Sequence, residues 1–251
     1  MDRLKRAFSK LRVGRWSEAE ALLVAEKKVD PWNPELHFAL GIAIENQGQL
    51  ERALQYYKQA HRGRPDRNDF RVVLARAHQG LGNLSDALGI WVDLARIDVH
   101  RLEAYLRMGE ICLALGQPLE AERALKQVVQ IRPEEDQAWL SLAQIQLGSG
   151  RDEDAASSLQ QLIDLRPDLH QVHNELGRIH LRAGRLDAAE ACFVQAIGIK
   201  PDYVLGLNNL ASLLQRLKRT AEALALFEKA RSLQPEPLVA LDFNHSHCLS
   251  Q

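Results

Sequence analysis

The sequence predicts an all-α fold, an α-solenoid of antiparallel helix pairs, and three observations predict it. Alanine recurs at Ala19, Ala53, Ala87, Ala121, Ala155, Ala189 and Ala223, each 34 residues after the last. Twelve residues before each alanine stands a second small residue: Ala7, Gly41, Ala75, Gly109, Ala143, Gly177 and Ala211. Glycine fills a third column (Gly14, Gly48, Gly82, Gly116, Gly150, Gly184), broken only by Lys218, and proline a fourth (Pro31, Pro65, Pro133, Pro167, Pro201, Pro235), broken only by Val99. No insertion or deletion is needed to keep the columns in register.

Each column has a physical reason. Apolar residues recur at helical spacing on both sides of every glycine, so each unit reads as helix, short turn, helix. The glycine stands where the first helix must stop, because it tolerates positive φ. The two small residues, one per helix, mark a crossing too close for a large side chain. A bulky column, Leu23, Tyr57, Trp91, Leu125, Leu159, Phe193 and Phe227, is expected to fill the space beside that crossing. The proline cannot continue a helix and ends the second one before the next unit begins. One helix pair cannot bury its own apolar face, whereas stacked neighbours can.

Counting from the small column gives repeats at 1–33, 34–67, 68–101, 102–135, 136–169, 170–203 and 204–237, with a terminal half repeat at 238–251. The whole chain is expected to form one array. The half repeat carries Leu238, Val239, Leu241, Phe243 and Leu249, much apolar surface for a solvated cap. Two expectations follow: that the natural polypeptide continues beyond Gln251, and that the end helix can support self-association.

The stretches WLSLAQIQLGSGRDEDAASSLQQLIDLRP and HNELGRIHLRAGRLDAAEACFVQAIGIKP carry aromatic or Leu, Leu-Gly, Ala and Pro on that period. In this the chain resembles the tetratricopeptide repeat (TPR) family over essentially its full length. The resemblance implies a right-handed superhelix and a role in protein binding. The matching residues are packing residues, so it says little about which protein.

Composition narrows the function classes. A formal net charge of -1 lacks the basic excess of a dedicated nucleic-acid binder. No apolar run reaches the ~18 residues of a membrane span, and the basic start lacks a signal-peptide core. A cytoplasmic location is therefore expected, with no membrane partner. Cys112, Cys192 and Cys248 form no CxxC pair and read as small apolar fillers.

No catalytic constellation stands out: there is no GxSxG, no P-loop and no GxGxxG on a strand, so neither enzyme activity nor a cofactor is expected. His173 and His180, with His170 nearby, invite a metal reading. They occupy the fourth and eleventh positions of their repeat, which are packing sites, and no metal is assigned. The run HSHC at 245–248 lacks a second ligand cluster.

What remains is surface. In the resembled family, positions 2, 5, 9, 12 and 13 of each repeat line a concave groove. Down the chain these columns offer Arg76 in the third repeat, Leu113 in the fourth, and Leu140, Gln144 and Leu147 in the fifth. The sixth offers Asn174, Arg178 and Arg182. The seventh offers Asn208, Ser212, Gln215 and Arg216, with Asn209 beside Asn208. Asparagine can pair with the backbone amide of an extended peptide, and arginine presents a fork matched to carboxylate or phosphate. The expected site is therefore a peptide-docking groove of Asn174, Arg178, Arg182, Asn208, Asn209, Arg216, Arg76, Leu113 and Leu147, favouring acid near repeats six and seven. The lysine clamp that some family members use for a terminal carboxylate is absent, as is a continuous asparagine ladder. A second expectation, motivated by the truncated eighth repeat, is an amino-terminal recruiting module of a larger sulfotransferase-like or glycosyltransferase-like enzyme, since in some members of the resembled family long arrays precede such domains.

Overall fold

The computed structural model describes residues 2–233, with the side chains of residues 2 and 98–100 left aside. The expected half repeat at 238–251, Cys248 and the HSHC run lie outside the described residues. Among the described residues there are fourteen helices and no strand.

The chain divides between Ile131 and Arg132 into two compact units. The first holds α1 (Asp2–Arg12), α2 (Trp16–Lys27), α3 (Pro34–Glu45), α4 (Leu50–Gly63), α5 (Asn68–Gly80), α6 (Leu84–Leu94), α7 (Asp98–Ala114) and α8 (Pro118–Ile131). The second holds α9 (Asp136–Gly148), α10 (Asp152–Leu165), α11 (His170–Arg182), α12 (Leu186–Ile199), α13 (Val204–Arg216) and α14 (Thr220–Leu233). Within each unit every helix packs on the next in sequence.

Five first helices, α3, α5, α9, α11 and α13, begin at the residues the repeat count names: Pro34, Asn68, Asp136, His170 and Val204. The exception is α7, which begins at Asp98 instead of Leu102. Proline disfavours the helical region for the residue before it. Where Val99 replaces proline that restraint is gone, and the helix extends backwards.

The turn column behaves as its chemistry requires. All six glycines have φ between 68° and 76°, and Lys218 is forced into the same left-handed region at φ 61°. At that turn the Lys218 amide donates to the Gln215 carbonyl (3.0 Å) and Arg219 to Leu214 (2.9 Å). These bonds satisfy carbonyls the helix end would leave bare.

The crossing is equally strict. A Cβ added to Gly177 would lie 2.6 Å from the Phe193 ring. The seven column alanines are fully buried, and the bulky column is buried throughout. Each large apolar side chain so placed contributes on the order of 1.5–3 kcal/mol. Cys112 is buried and Cys192 half-buried, as fillers should be.

Connectors between repeats are tied down by rings. His37 Nε2 reaches the Pro31 carbonyl (2.9 Å), Trp139 Nε1 donates to Pro133 (2.8 Å), and His173 Nε2 reaches Pro167 (3.0 Å). A carbonyl only accepts, so both histidines carry their proton on Nε2. Arginines then tie the two ends of a repeat together, as in Arg67 to Glu35 and Arg166 to Asp136, or reach back to the repeat before, as in Arg219 to Glu190.

Candidate functional site

In the second unit the first helices α9, α11 and α13 carry the expected stripes, and the structure places each residue. Asn174 is only 2% exposed, and its Oδ1 accepts from Asn209 Nδ2 at 2.8 Å. The two asparagines thus spend their polarity on each other, joining α11 to α13. Asn208 is half-buried, with a buried Oδ1 that has no hydrogen-bond partner among the described residues. Gln215 Nε2, two turns along the same helix, is in the same condition.

The arginines are mostly occupied. Arg178 donates to both Glu175 oxygens (2.8 and 3.0 Å) on its own helix. Arg182 grips Asp152 at the start of α10 with a planar fork (2.8 and 2.9 Å), and this hydrogen bonding lowers the Asp152 pKa. In the first unit Arg76 reaches from α5 to Glu103 on α7 (3.1 and 2.5 Å). Arg216 is exposed and has no ion pair among the described residues. Leu113 is 42% exposed in the first unit.

Leu147 lines a half-open cavity of about 550 Å³ between α9, α10 and α11. Leu140, Ala143, Gln144, Leu159 and Leu169 share its wall, and the sixth repeat adds Gln171, Val172 and Glu175. Two columns of its wall differ from the next pair of repeats. The residues 34 positions before Asn174 and Asn209 are Leu140 and Glu175. Between repeats six and seven those columns hold a bonded amide pair. Between five and six they hold a leucine and a carboxylate, which cannot bond, and Glu175 turns to Arg178 instead. Leu140, Gln144 and Leu147 stand out from groove periodicity alone. Leu169 and Glu175 do not, because their roles depend on what the neighbouring repeat places opposite them.

The histidines of repeat six contact their neighbours. Arg185 Nε donates to His180 Nδ1 (3.0 Å), and burial followed by that guanidinium lowers the imidazole pKa. His170 packs edge-on against Tyr203, with centroids 4.6 Å apart. Among the described residues no group of three or more His, Cys, Asp or Glu is arranged to hold a metal ion, and no helix is long and apolar enough to cross a membrane.

Comparison with known proteins agrees with the geometry. One tetratricopeptide repeat profile matches residues 45–107 and 112–179, and a second matches 4–68 and 174–236. Among curated proteins, the protein O-mannosyl-transferase TMTC3 of Homo sapiens and that of Mus musculus are each 25% identical over 134 residues, covering 47% of this chain. The matched part is 15% of the length of those proteins. Among solved structures, the C-terminal part of a TPR repeat-containing protein from Cytophaga hutchinsonii superposes with a TM-score of 0.76 at 13% identity, covering 95% of this chain and 98% of that one. YrrB, described as a TPR protein with an unusual peptide-binding site, superposes at 0.62 with 18% identity over 74% of this chain and 96% of its own. MamA superposes at 0.57 with 20% identity over 64% and 95%. These structural likenesses establish the fold.

Proposed function

The chain belongs to the tetratricopeptide repeat family, and on that premise we propose that it is a non-enzymatic protein-interaction scaffold. The face built by the first helices takes an extended or helical segment of a partner protein in the cytoplasm. The observation that carries this reading is the cavity under Leu140 and Leu147: apolar walls, with Gln144 and Gln171 at the rim to pair with a backbone amide. A partner segment sets a large apolar side chain there.

Acid preference falls on Arg216. Arg76, Arg178 and Arg182 already hold carboxylates of this chain, so an acidic ligand gains from them only by displacing Glu103, Glu175 or Asp152. Asn208, with its unpaired oxygen, and the Asn174–Asn209 pair form the polar end of the face in the second unit; in the first unit Leu113 offers an exposed apolar side chain of its own.

The test is capture from a cell extract by the wild-type chain, by Gln144→Arg and by Arg216→Ala, after circular dichroism confirms that all three are helical. A protein held by the wild type and lost by Gln144→Arg supports the groove. Identical capture by all three removes it.

A second reading, a recruiting module of a larger transferase, is favoured by the likeness to the O-mannosyl-transferase TMTC3. An antibody to this chain decides it. A native polypeptide well above 28.3 kDa with transferase activity in its immunoprecipitate supports that reading, and a band at 28.3 kDa removes it.

A further inference from the structure

The repeats can be compared with one another position by position, and one residue departs sharply. After Pro65, Pro133, Pro167, Pro201 and Pro235 the next residue is always acidic: Asp66, Glu134, Asp168, Asp202 and Glu236. In the connectors at Pro65 and Pro167 that acid is gripped by the arginine preceding the proline, Arg64 on Asp66 (3.0 and 2.9 Å) and Arg166 on Asp168 (3.2 Å). After Pro31 the residue is Trp32, and the residue before the proline is Asp30. Trp32 is 86% exposed, and Val29 in the same connector is 72% exposed.

This tryptophan is presented on a held backbone. The carbonyl before it, on Pro31, is bound by His37. The residue after it, Asn33, caps α3 by accepting from the Glu35 and Leu36 amides (3.0 and 3.3 Å) and ties its Nδ2 to Asp30 (2.9 Å). A large aromatic on a fixed loop needs little ordering to bind, which is the character of an interface anchor. Buried, it would cover ~150–250 Å² of its own surface.

The same chain holds a receptor of suitable chemistry, the cavity of about 550 Å³ under Leu140, Leu147 and Leu169. Charge pairs the two. Residues 1–33, which carry Trp32, hold eight Lys or Arg against five Asp or Glu. Residues 136–169, which supply most of the cavity wall, hold two against six. Two of those six, Asp152 and Glu153, are held by Arg182 and Arg185 of the next repeat, which reduces the negative excess without cancelling it.

We propose that the chain associates with a second copy of itself head to tail, Trp32 of one copy entering the cavity of repeats five and six of the next. Donor and receptor are different surfaces, so the contact is heterologous and each copy keeps one free end of each kind. The inference goes beyond the scaffold role and shares only the cavity with it, so that a partner and a second copy compete for one site.

The experiment is sedimentation of the purified chain across a hundredfold range of concentration, without extract. Wild type is expected to rise in mass from 28.3 kDa past the dimer, less so in high salt. Trp32→Ala and Gln144→Arg, both changes at exposed positions, are each expected to stay at the monomer mass. Mixed in equal amounts they regain one intact contact, and the mass stops at the dimer. Wild type that stays monomeric throughout, or variants that associate as it does, would overturn the proposal. Wild type that stays monomeric while Gln144→Arg loses its partner in extract assigns the cavity to that partner alone, leaving the scaffold reading standing.

Discussion

Asn209 of α13 donates to Asn174 of α11 across 35 residues of sequence, in two columns that one repeat earlier hold Glu175 and Leu140 in the wall of the cavity. Replacing Asn209 with Ala leaves a carboxamide oxygen buried and unpaired. The expected cost is ~1–3 kcal/mol. Urea unfolding checks it, and an unchanged midpoint would mean that Asn174 finds another donor.

Lys218 stands in the glycine column with a left-handed backbone, which costs an L-residue roughly 1–2 kcal/mol. Lys218→Gly relieves that strain but adds freedom to the unfolded chain. The net expectation is a stabilisation of up to about 1 kcal/mol, read as a higher urea midpoint at the same slope. A lower midpoint would show that the lysine side chain contributes more than its backbone costs.

Ala155 and Ala189 sit fully buried where paired helices cross. Leucine at either position forces the helices apart, and a loss of ~1–3 kcal/mol is expected. Thermal unfolding followed at 222 nm reads it, with a shift of a few degrees as the signature.

His37, His61 and His78 of the first unit all have pKa values below 6.5, burial being the first cause in each. Lys27, Arg71 and Lys58 push the same way, in that order, while the Pro31 carbonyl and Asp30 at His37, and Asp86 at His78, oppose it. His170 and His180 of the second unit are lowered as well. The unfolded chain therefore takes up protons that the folded chain refuses, and stability falls as pH drops through 6.5. Melting at pH 7.5 and pH 5 checks the sign. An equal or higher melting temperature at pH 5 would contradict it.

Among the arginines, Arg216→Ala is expected to weaken an acidic peptide, and Arg178→Ala to leave its affinity unchanged. Titration of a fluorescent acidic peptide distinguishes them. The reverse ranking would place the acid site at the Glu175 pair.

The fold was legible because its determinants are local and repeat. Gly184, Ala189 and Phe193 each answer a constraint set within one helix pair, and the same answer recurs every 34 residues. The site was legible only in outline. Leu140 and Leu147 stand in the expected groove columns and line the cavity, but the mutual bond of Asn174 and Asn209 and the fork of Arg182 on Asp152 depend on which rotamer meets which neighbour. Arg182 reaches back 30 residues to Asp152, not 34, so column reading passes over the pair. The start of α7 was missed for a simpler reason, that one absent proline frees the residues before it.

The ring staples on the connectors have a mechanical consequence. His37, Trp139 and His173 each pin a proline carbonyl, so those joints combine a fixed φ with a cross-tie. The joints at Pro65 and Pro201 keep the proline, but Arg71 and Leu207 stand where the ring would be. The joint between α6 and α7, at residues 95–97, lacks the proline, Val99 standing in its column, while Tyr105 supplies a ring at the corresponding position. Under tension the chain is thus a series of springs with unequal constants, stiffest at the stapled joints. Among the joints of the first unit, the one where α6 passes into α7 has no proline to fix its φ, so a load on that unit is expected to stretch it before the tie at His37 gives.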